Sequence, residues 1–268
     1  MLKKGLSYLF LVFAIMALVA CSGGDDTASN DGETEKDSSG DSGETYEIRI
    51  THTVPQSSPD HLSLEGFKEV AEEKSDGRIQ VEIFDSGQLY SSEREAAEAV
   101  QAGNIEMTAA AASAVAGFES KLMVLDLPFI FPDNETAAEA LDGELGQTLS
   151  DSLPEKGLRN LAYGESGMRH LTNNSHPIES PEDLKGLKIR TMENELHVES
   201  FKALGANPSP HAFGELYTAL QQNVFDAQEN PINLIDEMKL YEPQKYLTIS
   251  NHAYTTMMLL INEELYQS

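Results

Sequence analysis

Tryptophan is absent from this chain, and cysteine occurs once, at Cys21. A single thiol excludes an intramolecular disulfide framework and leaves the folded part without a cysteine nucleophile or thiolate ligand. Basic residues are scarce, with 18 Lys and Arg against 45 Asp and Glu, a formal net charge of −27. That imbalance argues against nucleic acid and an anionic membrane surface as partners. Enzyme signatures are missing too: there is no P-loop, no G-x-G-x-x-G and no H-E-x-x-H. Gly164-Glu165-Ser166-Gly167 is one residue short of a nucleophile elbow. The histidines are scattered, and His170 and His176 are too far apart for one helical face, so no metal site, cofactor or catalytic centre is expected.

The one long apolar run is at the start. Lys3 and Lys4 precede an uncharged stretch from Gly5 to Ala20, too short for a membrane span, which reads as an export signal over residues 1–20. It closes on Leu18-Val19-Ala20-Cys21, which resembles a bacterial lipobox, so Cys21 is the expected lipid-attachment point and membrane anchor. Residues 21–45 form an acidic linker with no large apolar residue from Ser22 to Glu44, too polar to offset the entropy of ordering. The remaining residues suffice for one large or two modest α/β domains.

Strand and helix signals alternate from there. Tyr46–Thr53 reads as a strand, and Ser58-Pro59 opens a helix that runs to Ser75. Ile79–Phe84 has a period of two, Ser92-Glu93-Arg94-Glu95 reads as a capping box for a helix ending at Gly103, and Ile105–Ala109 follows as a strand. This βαβαβ succession predicts a parallel sheet. Small residues from Ala109 to Ala116 suit tight packing, and prolines bar regular structure between Leu125 and Pro132. Two helices are expected over 134–153. Leu158–Glu165 and Met168–Asn173 read as separate strands, with the chain entering a second domain between them. Short strands are expected at Leu187–Thr191, Val224–Asn230, Leu247–Asn251 and Thr255–Ile261, and helices over 194–204, 213–222 and from 231 or 232 to 240.

Two cations stand at strand ends in this second part, Arg169 and Arg190. Ligands of open α/β sheets bind beyond the carboxyl ends of strands, where a guanidinium offers a planar fork that matches a carboxylate. Either arginine alone also fits an exposed ion pair with one of the many acids. The overall acidity does not forbid an anionic ligand, because salt screens long-range repulsion beyond about 8 Å.

Gly167-Met168-Arg169, the run from Ser180-Pro181-Glu182-Asp183 to Ile189-Arg190, Leu204-Gly205-Ala206-Asn207-Pro208-Ser209-Pro210, and the block from Phe213 to Asn230-Pro231 resemble the substrate-binding proteins of TRAP transporters, the DctP family. The likeness runs from Tyr46 to the end and includes Ser86-Gly87-Gln88-Leu89 and Leu127-Pro128-Phe129. It implies a two-domain α/β fold of the periplasmic-binding-protein type, with a ligand cleft between domain I (46–166 plus 256–268) and domain II (167–255). The function implied is capture of a small organic acid, whether C4-dicarboxylate, hydroxy or keto acid, or sugar acid, and its delivery to TRAP permease subunits. On this likeness Arg190 is the principal carboxylate partner, Arg169 a second cationic contact, Asn230 a hydrogen-bonding amide and Phe213 an aromatic wall. His52 and Glu229 complete the candidate set. Sialic-acid-binding members carry Asn near Thr53 and Glu near Ala111; without them sialic acid is not expected, and a less negative pocket open to smaller or more acidic ligands is. The family pattern continues past Ser268, so the chain is expected to be a fragment. A sensor subunit binding the same acid, and an extracytoplasmic enzyme on a similar fold, remain open alternatives.

Overall fold

Ser58 and Pro59 show how locally the first elements are specified. In the computed structural model, which describes residues 45–268, β1 (Tyr46–Thr51) leads to α1 (Pro59–Lys74), where the Ser58 side chain accepts from the His61 N–H. Pro59 sits in the first turn, where its missing N–H leaves no intrahelical bond unmade. The expected export signal, Cys21 and the linker through Glu44 lie outside the described residues. Next come β2 (Ile79–Phe84), α2 (Glu93–Gln101), β3 (Met107–Ala111) and α3 (Ala112–Val115). Of the expected capping box, the Ser92 side chain accepts from Glu95 N, and its hydroxyl reaches across to Glu193 at 2.7 Å. β3 begins two residues later than its sequence suggests, and the alanines from 109 to 116 are buried, in keeping with tight packing. A 3-10 turn spans Ser120–Asp126, after which the prolines exclude regular structure up to α4 (Asn134–Asp142) and α5 (Glu144–Ser150).

The second half contains β4 (Leu158–Asn173), β5 (Lys188–Thr191), α6 (Glu195–Ala203), β6 (Asn207–Pro210), α7 (Leu216–Gln221), β7 (Ala227–Pro231), α8 (Ile232–Glu237), β8 (Tyr246–Thr248), β9 (Tyr254–Asn262) and α9 (Glu263–Gln267). The two strands expected around Gly164–Gly167 are one 16-residue strand, β4. Glycine there does not end the strand. It permits a register shift between Glu165 and Gly167, and Gly167 takes φ +105°, a conformation that a side chain would strain. At that irregularity β4 changes partners: up to Met168 it pairs with β9, and from Arg169 onward with β7 and β8.

The strand order is β2-β1-β3-β9-β4-β7-β5-β6, with β8 beside β4. The expected parallel sheet is therefore mixed. β1 pairs in parallel with β2 and β3, and β5 with β6 and β7, but β9 runs antiparallel to both β3 and β4. β6 was not legible in the sequence because Pro208 and Pro210 lack the N–H of a central strand; the strand is tolerated at the end of the order, where one side needs no partner. Hydrophobic clusters flank the sheet on either side of the β4 irregularity. One gathers Val100, Ile105, Leu122, Leu153 and Leu158, another Ile48, Ile50, Leu64 and Val81. Beyond it lie Leu216, Leu220 and Leu240, and Leu187, Ile189 and Phe201. Among the described residues no helix is long and apolar enough to cross a membrane.

Candidate ligand-binding site

Arg190 lies in β5, whose register against β6 and β7 carries its side chain into the interior, where it is 2% exposed. Its Nε and Nη2 donate to the His211 carbonyl at 2.8 and 2.6 Å. Nη1 is buried and has no hydrogen-bond partner among the described residues. A guanidinium carries five N–H donors, so the carbonyl occupies one side of the fork and leaves the end-on pair of Nη1 and Nη2 free. The Phe213 ring stands 5.9 Å from the guanidinium carbon. Burial pushes the pKa of Arg190 down to about 10, with Glu229 and Glu93 opposing that shift, so the group remains a cation at neutral pH.

Arg169 is placed differently. At 1% exposure it begins the stretch of β4 that pairs with β7, and Nε and Nη2 grip the Glu229 carboxylate while Nη1 donates to Thr255 Oγ1 at 2.7 Å. Nη2 also reaches Asn230 Oδ1 at 3.2 Å. Burial pushes the Glu229 carboxyl up, but Arg169 and the His252 hydrogen bond outweigh it and hold the group far below the usual carboxylate range. Glu229 is the counter-ion of Arg169.

Arg169, Arg190, Phe213 and Asn230 converge on one cavity of about 20 Å³. That is room for about one water, against roughly 300 Å³ or more in most small-molecule pockets. Any organic acid must therefore enter with movement of the walls. Two of the six candidates do not line it. Glu229 is fully enclosed in its ion pair, and His52, at the end of β1, faces His61, with Nε2 3.0 Å from the His61 ring. Burial and then His61 push the pKa of His52 down to about 4, so it is neutral at pH 7. Larger grooves lie elsewhere: those of about 440 and 500 Å³ are lined by no cation, and one of about 360 Å³ holds Arg159, which is already paired with Glu263 at 2.7 Å.

Two acids that the sequence reading passed over complete the cavity wall: Asp60, in the first turn of α1, and Glu93, in the first turn of α2. Glu93 accepts from Thr53 Oγ1 at 3.2 Å and from the Ala111 N–H at 3.3 Å. This corrects the expectation of a less negative pocket: the carboxylate missing near Ala111 in sequence is delivered there from α2. Glu93 reads as a helix-start residue, and a helix start was the only signal it gave.

Arg169 lies inside the single long strand β4, not at a strand end as its sequence suggests, and is committed to Glu229 and Thr255. Arg190, one residue from the end of β5 and buried with a free donor on a cavity, is the group suited to holding an anionic solute in this α/β protein. Residues 50–268 match the model of bacterial extracellular solute-binding protein, family 7 (DctP), and the chain belongs to that family. It is 37% identical to the 2,3-diketo-L-gulonate-binding periplasmic protein YiaO of Escherichia coli over 81% of this chain and 66% of that protein. The sugar acid binding protein DctPAm of Advenella mimigardefordensis, solved in complex with galactonate, superposes with a TM-score of 0.81 at 37% identity, covering 84% of this chain and 72% of that one. A TRAP periplasmic solute-binding protein from Sulfurospirillum deleyianum with bound succinate gives 0.80 at 36%, with the same coverage. The chain spans about two thirds of the length of the curated relatives it matches.

Proposed function

We propose that this protein captures a small organic acid outside the cytoplasm through one of its carboxylates and delivers it to the membrane subunits of a TRAP-type transporter, without catalysis. The observation that carries this reading is the unpartnered Nη1 of a fully buried, charged Arg190 on the wall of a cavity shared with Arg169, Phe213 and Asn230. A buried charge without full hydrogen bonding is costly, and a carboxylate supplies the missing partner and the opposite charge. Similar proteins solved with ligands as different as galactonate and succinate support a carboxylate as the shared feature.

In this reading residues 46–166 with 256–268 form one lobe and 167–255 the other, and the chain bends where β4 and β9 cross between them. The register shift at Glu165–Gly167 supports a hinge there. Contacts between the lobes, such as Gly214 N to Ser91 O at 3.1 Å and Asn194 Nδ2 to Asp126 at 2.9 Å, would hold the closed form. Cys21 would carry the lipid that keeps the protein at the outer face of the membrane.

A thermal-shift screen of the purified chain against succinate, keto acids, aldonates and uronates tests the proposal, because a ligand that binds only the native state raises its stability, by about 2.7 kcal/mol at a hundred times its Kd. At least one carboxylate should raise Tm. No shift with any of them, or turnover of the added acid followed by NMR, would overturn it.

A further inference from the structure

The cavity wall combines two opposite chemistries. Arg190 offers it the unpartnered Nη1, and Asp60 and Glu93 line it with carboxylate acceptors. Glu93 uses two of its roughly four lone-pair sites, on Thr53 and Ala111, and has the others free. The Asp60 carboxylate, half-buried, has no hydrogen-bond partner among the described residues, and the charged groups that act on it and through it are further acids, Glu93 and Glu237. Neither acid forms a hydrogen bond with Arg190 at the distances of its other partners, although the Arg190 charge does act on Glu93. Burial pushes Asp60 up to about 6, and it raises Glu93 against the Ala111 and Thr53 hydrogen bonds and the Arg190 charge.

We propose that the site selects monocarboxylates that carry several hydroxyl groups, with the carboxylate on Arg190 and hydroxyl hydrogens donated to Asp60 and Glu93, and rejects acids that place a second carboxylate there. The inference rests on the carboxylate reading above and narrows it to a substrate class. Its physical basis is that a hydroxyl supplies the donor each carboxylate lacks, whereas a second carboxylate supplies only acceptors and a like charge. Specificity then arises as much from repulsion of the wrong acid as from attraction of the right one.

Matched pairs that differ only in a terminal CH₂OH or carboxylate test this: D-erythronate against meso-tartrate, and D-galactonate against galactarate, with succinate alongside, all titrated calorimetrically into the full chain at pH 7. In at least one pair the monocarboxylate should bind at least about tenfold tighter than its diacid, a difference of about 1.4 kcal/mol. Asp60→Asn and Glu93→Gln, each checked for folding by thermal unfolding, should shrink that ratio by weakening the monocarboxylate and relieving the diacid. Equal or tighter binding of the diacids or succinate, or a ratio unmoved by both substitutions, would overturn the inference and leave the carboxylate reading standing. A chain that binds none of the five acids would overturn both. Tighter binding of 4-aminobutyrate than of D-erythronate would replace hydroxyl recognition by ammonium recognition and also refute the proposal.

Discussion

Replacing Asp60 by asparagine should make the protein more stable at neutral pH. Asp60 sits in the first turn of α1, half-buried, with Glu93 and Glu237 as its charged neighbours, and burial pushes its pKa from 3.8 up to about 6. A carboxyl whose folded pKa is raised costs stability wherever it must ionise in the folded state. The cost is absent below about pH 4, grows between about 4 and 6, and is complete above. At pH 7 it is worth about 3 kcal/mol. Asparagine gives up the favourable interaction of an anion with the helix N-terminus, about 0.3 to 1 kcal/mol, so the net gain should be about 2 kcal/mol. Urea unfolding of both proteins at pH 7 and pH 3.5 measures it: the variant should be the more stable at pH 7, with the advantage gone at 3.5. Equal stability at pH 7, or a gain that does not depend on pH, would refute the reasoning. A residue that weakens its own fold in this way while lining a cavity fits a ligand contact, because sites commonly give up stability for function.

Glu229→Gln should destabilise the fold by about 3 to 5 kcal/mol at pH 7 by leaving Arg169 buried without its counter-ion, as urea unfolding would report. Because the folded pKa of Glu229 is depressed, its contribution in the natural chain should be fully present above about pH 5 and fall away progressively under acid, and the variant should lack that part of the acid dependence. Gly214→Ala should weaken acid binding several-fold, since an added Cβ would meet the Ser91 carbonyl at 2.9 Å and push the Phe213 segment away from Ser91; the loss of stability should be about 1 to 3 kcal/mol. Cys21→Ser should release the protein from membranes on fractionation while its acid binding persists.

Much of this fold is written locally. Ser58-Pro59, the alternation in Ile79–Phe84 and Asn194 before Glu195 each identify an element from a few neighbouring residues. What sequence hid was long-range. Pairing of β9 between β3 and β4 brings together residues 86 to 154 positions apart, and β6 is a strand only because an edge tolerates its prolines. The site divides in the same way. Arg190 was legible as a cation near a strand end, whereas Arg169 lies inside β4, and the burial of Glu229 against it depends on the β4–β7 register, which no local pattern encodes. Asp60 and Glu93 were masked by their ordinary roles as acids in first helical turns, where the dipole favours them whatever they face.

The claim on which the account turns is that Arg190 holds the ligand carboxylate. Calorimetric titration of folded Arg190→Lys and Arg190→Ala, with the acid that most raises the Tm of the natural chain, tests it directly. Lysine keeps the charge but not the paired donors, and alanine leaves a buried carboxylate without a partner, so affinity should fall in that order. A loss of about 2 to 5 kcal/mol, roughly thirtyfold to several-thousandfold, is expected for alanine. Affinity within about twofold of the natural chain for Arg190→Ala would mean that the acid binds elsewhere and would contradict the account.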